Sequence, residues 1–139
     1  MTRAQEEQLA RRQAIRVATA DRLAAVGAGT AEAWGRCITS TVLGILDDRG
    51  ASTVFTYLNM PEEAPTHDIV RALLADNRMR VVVPRVVTGS EAMTLHEVVD
   101  LGRDVRPGLW GIPTPRKRCA VVDGSDVDIV LVPMVAFDD

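Results

Sequence analysis

The 139 residues, 47% hydrophobic and 25% charged, have the make-up of one soluble globular domain long enough to bury a core. A net charge of −3, from 16 basic and 19 acidic side chains, argues against a general nucleic-acid binder, which needs a basic surplus. No apolar run approaches a membrane span, and MTRAQEEQLARR lacks the apolar centre of a signal peptide, so a cytoplasmic protein with neither nucleic-acid nor membrane partners is expected.

Residues 3–26 predict a helix rich in Ala, Arg and Gln, broken by Gly27 and Gly29. It carries Arg3, Arg11, Arg12, Arg16 and Arg22. Thr30 is the expected N-cap of a second helix over 31–47, with Trp34, Ile38, Val42 and Ile45 as its apolar stripe and Gly50 just past its end. STVFTYL (52–58) predicts a strand, and Thr66 caps a third helix whose buried face is Ile69, Val70, Leu73 and Leu74. RVVVP (80–84) reads as a strand covered on both faces, giving a parallel βαβ unit with the first. AMTLHEVV (92–99) alternates weakly, as an edge or antiparallel strand does. Glycine and proline break up 100–126 into mostly loop with one short helical or 3₁₀ turn expected, and Val127–Val132 predicts a fully buried final strand. The class is α/β: a mainly parallel sheet with helices on both faces, in a single domain over 1–139.

Cys37, Cys119, His67 and His96 are scattered and share no metal-ligand spacing, so two buried thiols are expected. Three stretches carry more chemistry. Arg12 and Arg16 sit four apart on a helix and share a face, which suits either phosphate binding or plain solvation. YLNMPEEAPT (57–66) follows the first strand at the end where α/β proteins bind ligands. There Leu58 and Met60 suit an apolar floor, and Glu62 or Glu63 suits hydrogen bonds from an amino-pyrimidine-like ring, unless this is only an acidic surface loop. LWGIPTP (109–115) holds Trp110 on a stiff loop, either to stack on a planar ligand or to plug the core edge.

In order, these stretches resemble the 5-formyltetrahydrofolate cyclo-ligase family. RQAIR (12–16) is similar to the family's Lys-x-x-Leu-Arg, with Arg12 in the lysine's place. YLNMPEEAPT is similar to Tyr-Leu-Ser-Met-x-x-Glu-x-x-Thr, with Asn59 for serine. VVVPRV followed by Met93 fits the second strand and its methionine. WGIPTP resembles the Trp-x-Ile-Pro-x-Pro of some members, while Thr114 departs from the Glu-Pro of others. VDIVLVPMVAFD is similar to Asp-hydrophobic-Pro-Gly-x-Ala-Phe-Asp, with Met134 for glycine.

The resemblance implies an ATP- and Mg2+-dependent conversion of 5-formyltetrahydrofolate to 5,10-methenyltetrahydrofolate. The formyl oxygen attacks the γ-phosphate, N10 then closes the ring, and phosphate leaves. Such chemistry rests mainly on positioning and charge neutralisation. The resemblance implies that Arg12 and Arg16 hold ATP, that Leu58 and Glu63 contact the folate, and that Met60, Met93 and Trp110 border the pterin. In the family, Ala-Phe-Asp leads into Gly-x-Arg-Leu-Gly-x-Gly-x-Gly-Tyr-Tyr-Asp, a phosphate-approaching loop ending in a magnesium-linked aspartate. This sequence stops at Asp139, before that run. The expectation is therefore the cyclo-ligase fold without its C-terminal part, no metal ligand within the 139 residues, little turnover by this chain alone, and self-association through an uncovered sheet. A non-catalytic folate-binding relative and an enzyme fragment are the alternatives.

Overall fold

The computed structural model describes residues 1–61, 63–134 and 136–137, and of Trp110 the backbone alone. Glu62, Asp138 and Asp139, which figure in the motifs above, lie outside the described residues.

The first helix, α1 (Arg3–Ala24), starts at a capping box: the Gln5 amide N–H donates to Thr2 Oγ1, and the Thr2 N–H donates to Gln5 Oε1. It buries none of its side chains. The second helix, α2 (Ala28–Arg49), begins earlier than expected. Its N-cap is Gly27, Thr30 lies inside the first turn, and Gly29 is helical rather than a breaker. Gly50 closes it at φ 61°, a left-handed conformation that glycine adopts without a Cβ penalty.

The buried stripe of α2 is also displaced from the expected one. Gly35, Val42, Leu43 and Leu46 face the core, whereas Trp34, Ile38 and Ile45 are exposed. The helix carries two adjacent apolar arcs, and periodicity does not say which one finds a partner. Gly35 shows what selects the winner. A Cβ there would stand 3.1 Å from Pro65 Cγ, so the helix approaches that loop closely because residue 35 has no side chain.

Next come β1 (Thr53–Phe55), α3 (His67–Asp76) and β2 (Arg80–Val86), with β1 and β2 parallel as the βαβ reading requires. Ile69, Val70 and Leu73 of α3 are buried, and Leu74 packs against them partly buried. They meet Val54, Val81, Val83 and Val98 on one sheet face, together with Leu46 of α2. β3 (Met93–Val98) is antiparallel to β2 and forms one sheet edge, in line with its weak alternation. The order is β3-β2-β1 and then β6 (Ile129–Val130), a mixed sheet in which two of three pairings are parallel.

The last strand, β6 (Ile129–Val130), corrects the expectation of a long, fully buried strand. It is short, lies at the other sheet edge, and alternates: Ile129 and Leu131 are half-buried, Val130 and Val132 exposed. An edge strand with one covered face is half-wet, however apolar its sequence. Its register is pinned by Asp128, whose Oδ2 accepts the N–H groups of Ser52 and Thr53 at 2.8 and 2.9 Å.

Residues 100–126 hold more structure than loop. A single helical turn, α4 (Leu101–Asp104), leads into β4 (Val105–Pro107), a 3₁₀ turn over Leu109–Gly111, and β5 (Pro113–Pro115). β4 and β5 form a separate two-stranded antiparallel ribbon. Its prolines hid it in the sequence, because proline is compatible with pairing only where its missing N–H is not needed. Asp104 knits this ribbon to the sheet. Its buried carboxylate accepts the N–H groups of Val99 and Asp100, each at 3.0 Å, and the Arg103 guanidinium at 3.0 Å, while its carbonyl accepts the Arg116 N–H at 2.7 Å. Of the cysteines, Cys119 is buried as expected, but Cys37 is exposed.

Candidate functional site

Parallel pairing puts the carboxyl ends of β1, β2 and β6 on the same side of the sheet. Three segments emerge there: loop 57–66, the far end of the β2–β3 hairpin where Val86 faces Met93, and residues 131–137 after β6. This is the side where α/β sheets place ligands.

Loop 57–66 is held by its own hydrogen bonds. Thr66 occupies the N-cap position of α3, yet its hydroxyl does not cap the helix. It donates instead to the Tyr57 carbonyl at 2.7 Å and accepts the Asn59 N–H at 3.1 Å. Capping falls to Asn59, whose Oδ1 accepts the N–H of Thr66 at 2.8 Å and of His67 at 3.3 Å. The otherwise orphaned first donors of the helix are thus satisfied from across the loop. The Tyr57 hydroxyl donates to the Ala64 carbonyl at 3.1 Å, closing the far side.

Glu63 is half-buried, and its Oε2 accepts the Met60 N–H at 2.9 Å, while its own N–H donates to the Met60 carbonyl at 3.0 Å. A carboxylate fixed by one oxygen keeps acceptor capacity on both. Burial and then the Glu63 charge raise the Tyr57 pKa, so the phenol stays a donor. Burial first, then Arg71, lowers the His67 pKa against the opposing pull of Asp68.

The predicted site residues fall on loop 57–66, on β3, on the ribbon tip and on α1. Leu58 is buried in the main core cluster beneath the loop, and Met60 is half-buried beside Glu63. Met93 is exposed on the same side of the sheet. Trp110 lies in the 3₁₀ turn at the ribbon tip, and its side chain is outside the described residues. Arg12 and Arg16 lie on the exposed helix α1, with no hydrogen bond or ion pair to any described residue of the loop. The part of α1 that meets the tail is Thr19 and Arg22, which border a shallow depression with Met134, Ala136 and Phe137.

Sequence reasoning missed Asn59 and His67 as site-builders and Asp104 as an anchor. Asn59 looked only like a serine substitute, and a cap reaching seven residues along the chain leaves no short-range pattern.

The family model for 5-formyltetrahydrofolate cyclo-ligases matches residues 8–139. The chain belongs to that family. A probable 5-formyltetrahydrofolate cyclo-ligase of Schizosaccharomyces pombe is 27% identical over 105 residues, which cover 73% of this chain and 50% of the relative. The chain therefore spans about half the length of that curated relative. The solution structure of 5,10-methenyltetrahydrofolate synthetase from Aquifex aeolicus superposes with a TM-score of 0.76 at 18% identity, over 91% of this chain and 62% of that one. At that identity the likeness concerns the fold, which agrees with the cyclo-ligase α/β architecture.

Proposed function

We propose that this cyclo-ligase family member binds 5-formyltetrahydrofolate and, with ATP and Mg2+, takes part in its conversion to 5,10-methenyltetrahydrofolate with release of ADP and phosphate. The observation that carries the reading is the self-locked loop 57–66 at the carboxyl end of β1, in a chain that the family model matches over residues 8–139. In this reading Glu63 accepts hydrogen bonds from the pterin edge, Leu58 and Met60 supply apolar contact, and Met93 and Trp110 border the ring. Holding Glu63 by the Met60 N–H before the ligand arrives reduces the ordering cost of binding.

Arg12 and Arg16 fit an ATP role by their shared helix face, since two guanidiniums can grip phosphate oxygens through paired hydrogen bonds. ATP, when bound, supplies the phosphoryl group that activates the formyl oxygen. The chain's own residues bind and orient. For Mg2+, among the described residues no three His, Cys, Asp or Glu side chains converge on a metal position, so no residue is assigned to it and no step is derived through it.

Among the described residues no helix is long and apolar enough to cross a membrane. The cytoplasm is the compartment proposed, and the net charge of −3 favours no nucleic-acid partner. Self-association through the outer edge of β6 is proposed as well, since that edge has no partner strand among the described residues and is flanked by exposed Val130 and Val132, a template for pairing.

The test is calorimetric titration with 5-formyltetrahydrofolate, with and without ATP, alongside a spectroscopic assay of methenyltetrahydrofolate formation. Folate binding that weakens about tenfold in Glu63→Gln is expected, from the loss of a hydrogen bond to a charged group. Absence of folate binding would overturn the reading. Arg12 and Arg16 make no hydrogen bond or ion pair to any described residue of the loop, which leaves room for a second reading, folate binding without phosphoryl transfer; binding of folate but not ATP would select it.

A further inference from the structure

Two backbone N–H groups, of Thr66 and His67, lie 2.8 and 3.3 Å from the same amide atom of Asn59. A backbone N–H can only donate, so that atom is the carbonyl oxygen Oδ1, and the orientation of the amide is decided by the main chain alone. The remaining amide nitrogen, Nδ2, then donates to the Met60 carbonyl at 3.2 Å, as an NH₂ group should.

The same Oδ1 lies 2.6 Å from His67 Nδ1. A carbonyl oxygen has no proton to offer, so Nδ1 must carry it. In the neutral ring the lone pair is then on Nε2. The lowered pKa of His67 keeps the ring neutral near pH 7. Nε2 makes no hydrogen bond to any described residue. A serine in place of Asn59 would not impose this state, because a hydroxyl donates as readily as it accepts.

We propose that Asn59 is a positioning residue that locks His67 as the Nδ1–H tautomer, and that the Nε2 lone pair, which accepts from no described residue, is a specificity-determining acceptor for an N–H donor of the ligand held by loop 57–66. The identity of that ligand as a reduced folate rests on the function proposed above; the tautomer lock does not. His67 thus adds a second acceptor to the loop that carries Glu63. The two acceptors differ in kind, since the imidazole accepts along one direction and the carboxylate along several.

Long-range proton–nitrogen NMR of the whole chain at pH 8 reads the tautomer without any ligand. Wild type and Asn59→Asp should show a protonated Nδ1 and a bare Nε2. Asn59→Ala should shift the ring toward the Nε2–H form. A wild-type ring protonated on Nε2 would overturn the lock. Calorimetry with 5-formyltetrahydrofolate tests the second half. His67→Ala and Asn59→Ala should each weaken binding about tenfold, Asn59→Asp less than about threefold, and the double alanine variant no more than His67→Ala alone, because the two act through one group. Additive losses, or unchanged affinity in His67→Ala, would overturn the acceptor role. If Asn59→Ala fails to melt cooperatively, Asn59→Asp and His67→Ala carry the comparison. Wild type that binds no folate removes the folate reading and the ligand half of this proposal together, and leaves the NMR result to decide the lock.

Discussion

The unit β1–α3–β2 and the unit made of α1 and the outer face of α2 are built from equally helix- and strand-competent sequence, yet only the first is closed. Val54, Ile69, Val70, Val81 and Val82 are almost fully removed from solvent. Leu9, Ile15, Val17, Trp34 and Ile45 remain exposed. The difference lies in partners, not in apolar content. A helix between two parallel strands is forced back onto the sheet it connects. Neither α1 nor the outer arc of α2 is held against the sheet by such a crossover, and their apolar residues stay exposed. The candidate loop belongs to the closed unit: its rigidity comes from the βαβ crossover on one side and from Pro65 seated on Gly35 of α2 on the other.

That contrast can be broken most directly in the core. Ile69→Ala should cost about 2–5 kcal/mol by loss of burial and the cavity left behind, read by denaturant unfolding. Trp34→Ser, on the exposed arc of α2, should change unfolding by less than about 0.5 kcal/mol. If the two substitutions cost the same, the distinction between the units fails. Thr66→Val should come next, at about 1–3 kcal/mol, because Asn59 N–H and the Tyr57 carbonyl both lose their buried partner. Its effect on folate binding should exceed its effect on stability, since the loop sits at the edge of the closed unit.

An acid titration sharpens the comparison within the ribbon region. Burial pushes the Asp104 carboxyl up, but the hydrogen bond from Arg103 and the N–H groups of Val99 and Asp100 outweigh it and hold the pKa at about 2. A depressed folded-state pKa stabilises above the unfolded value of 3.8 and loses that contribution as the pH falls toward about 2. Stability should therefore drop between those values, and Asp104→Asn should flatten that part of the profile. Smaller still is the effect expected at α1. Thr2→Ala removes the capping box at a local cost of about 1 kcal/mol, seen as faster amide exchange in the first turn. The global melting curve should not move, because α1 buries nothing. For association, Val130→Lys should lower the apparent mass in sedimentation, the lysine acting at the β6 edge.

The closed unit was readable because each of its signals was local and mutually consistent. STVF is β-branched and aromatic, Thr66 precedes an apolar helical face, and VVV is a continuous apolar run. The displaced stripe of α2 was not readable: two apolar arcs met the same periodicity, and only the contact between Gly35 and Pro65 favours one of them. The β4–β5 ribbon was hidden by Pro107, Pro113 and Pro115, which read as breakers. In the candidate loop, Leu58, Met60 and one of Glu62 or Glu63 stood out by type and position, and only the family resemblance singled out Glu63. Asn59 was not legible, because its role is to reach residues that folding alone brings near.

Sequence by itself determined the α/β class, the parallel pairing of β1 and β2, the edge position of β3 and the loop at the carboxyl end of β1. These depend on propensity, short-range periodicity and chain direction, all of which are properties of neighbouring residues. Tertiary structure alone decided which arc of α2 is buried, that β6 is a half-exposed edge, and that Asn59 caps α3 and sets the His67 tautomer. Each of these depends on which groups compete for the same partner in space, and that competition has no counterpart along the chain.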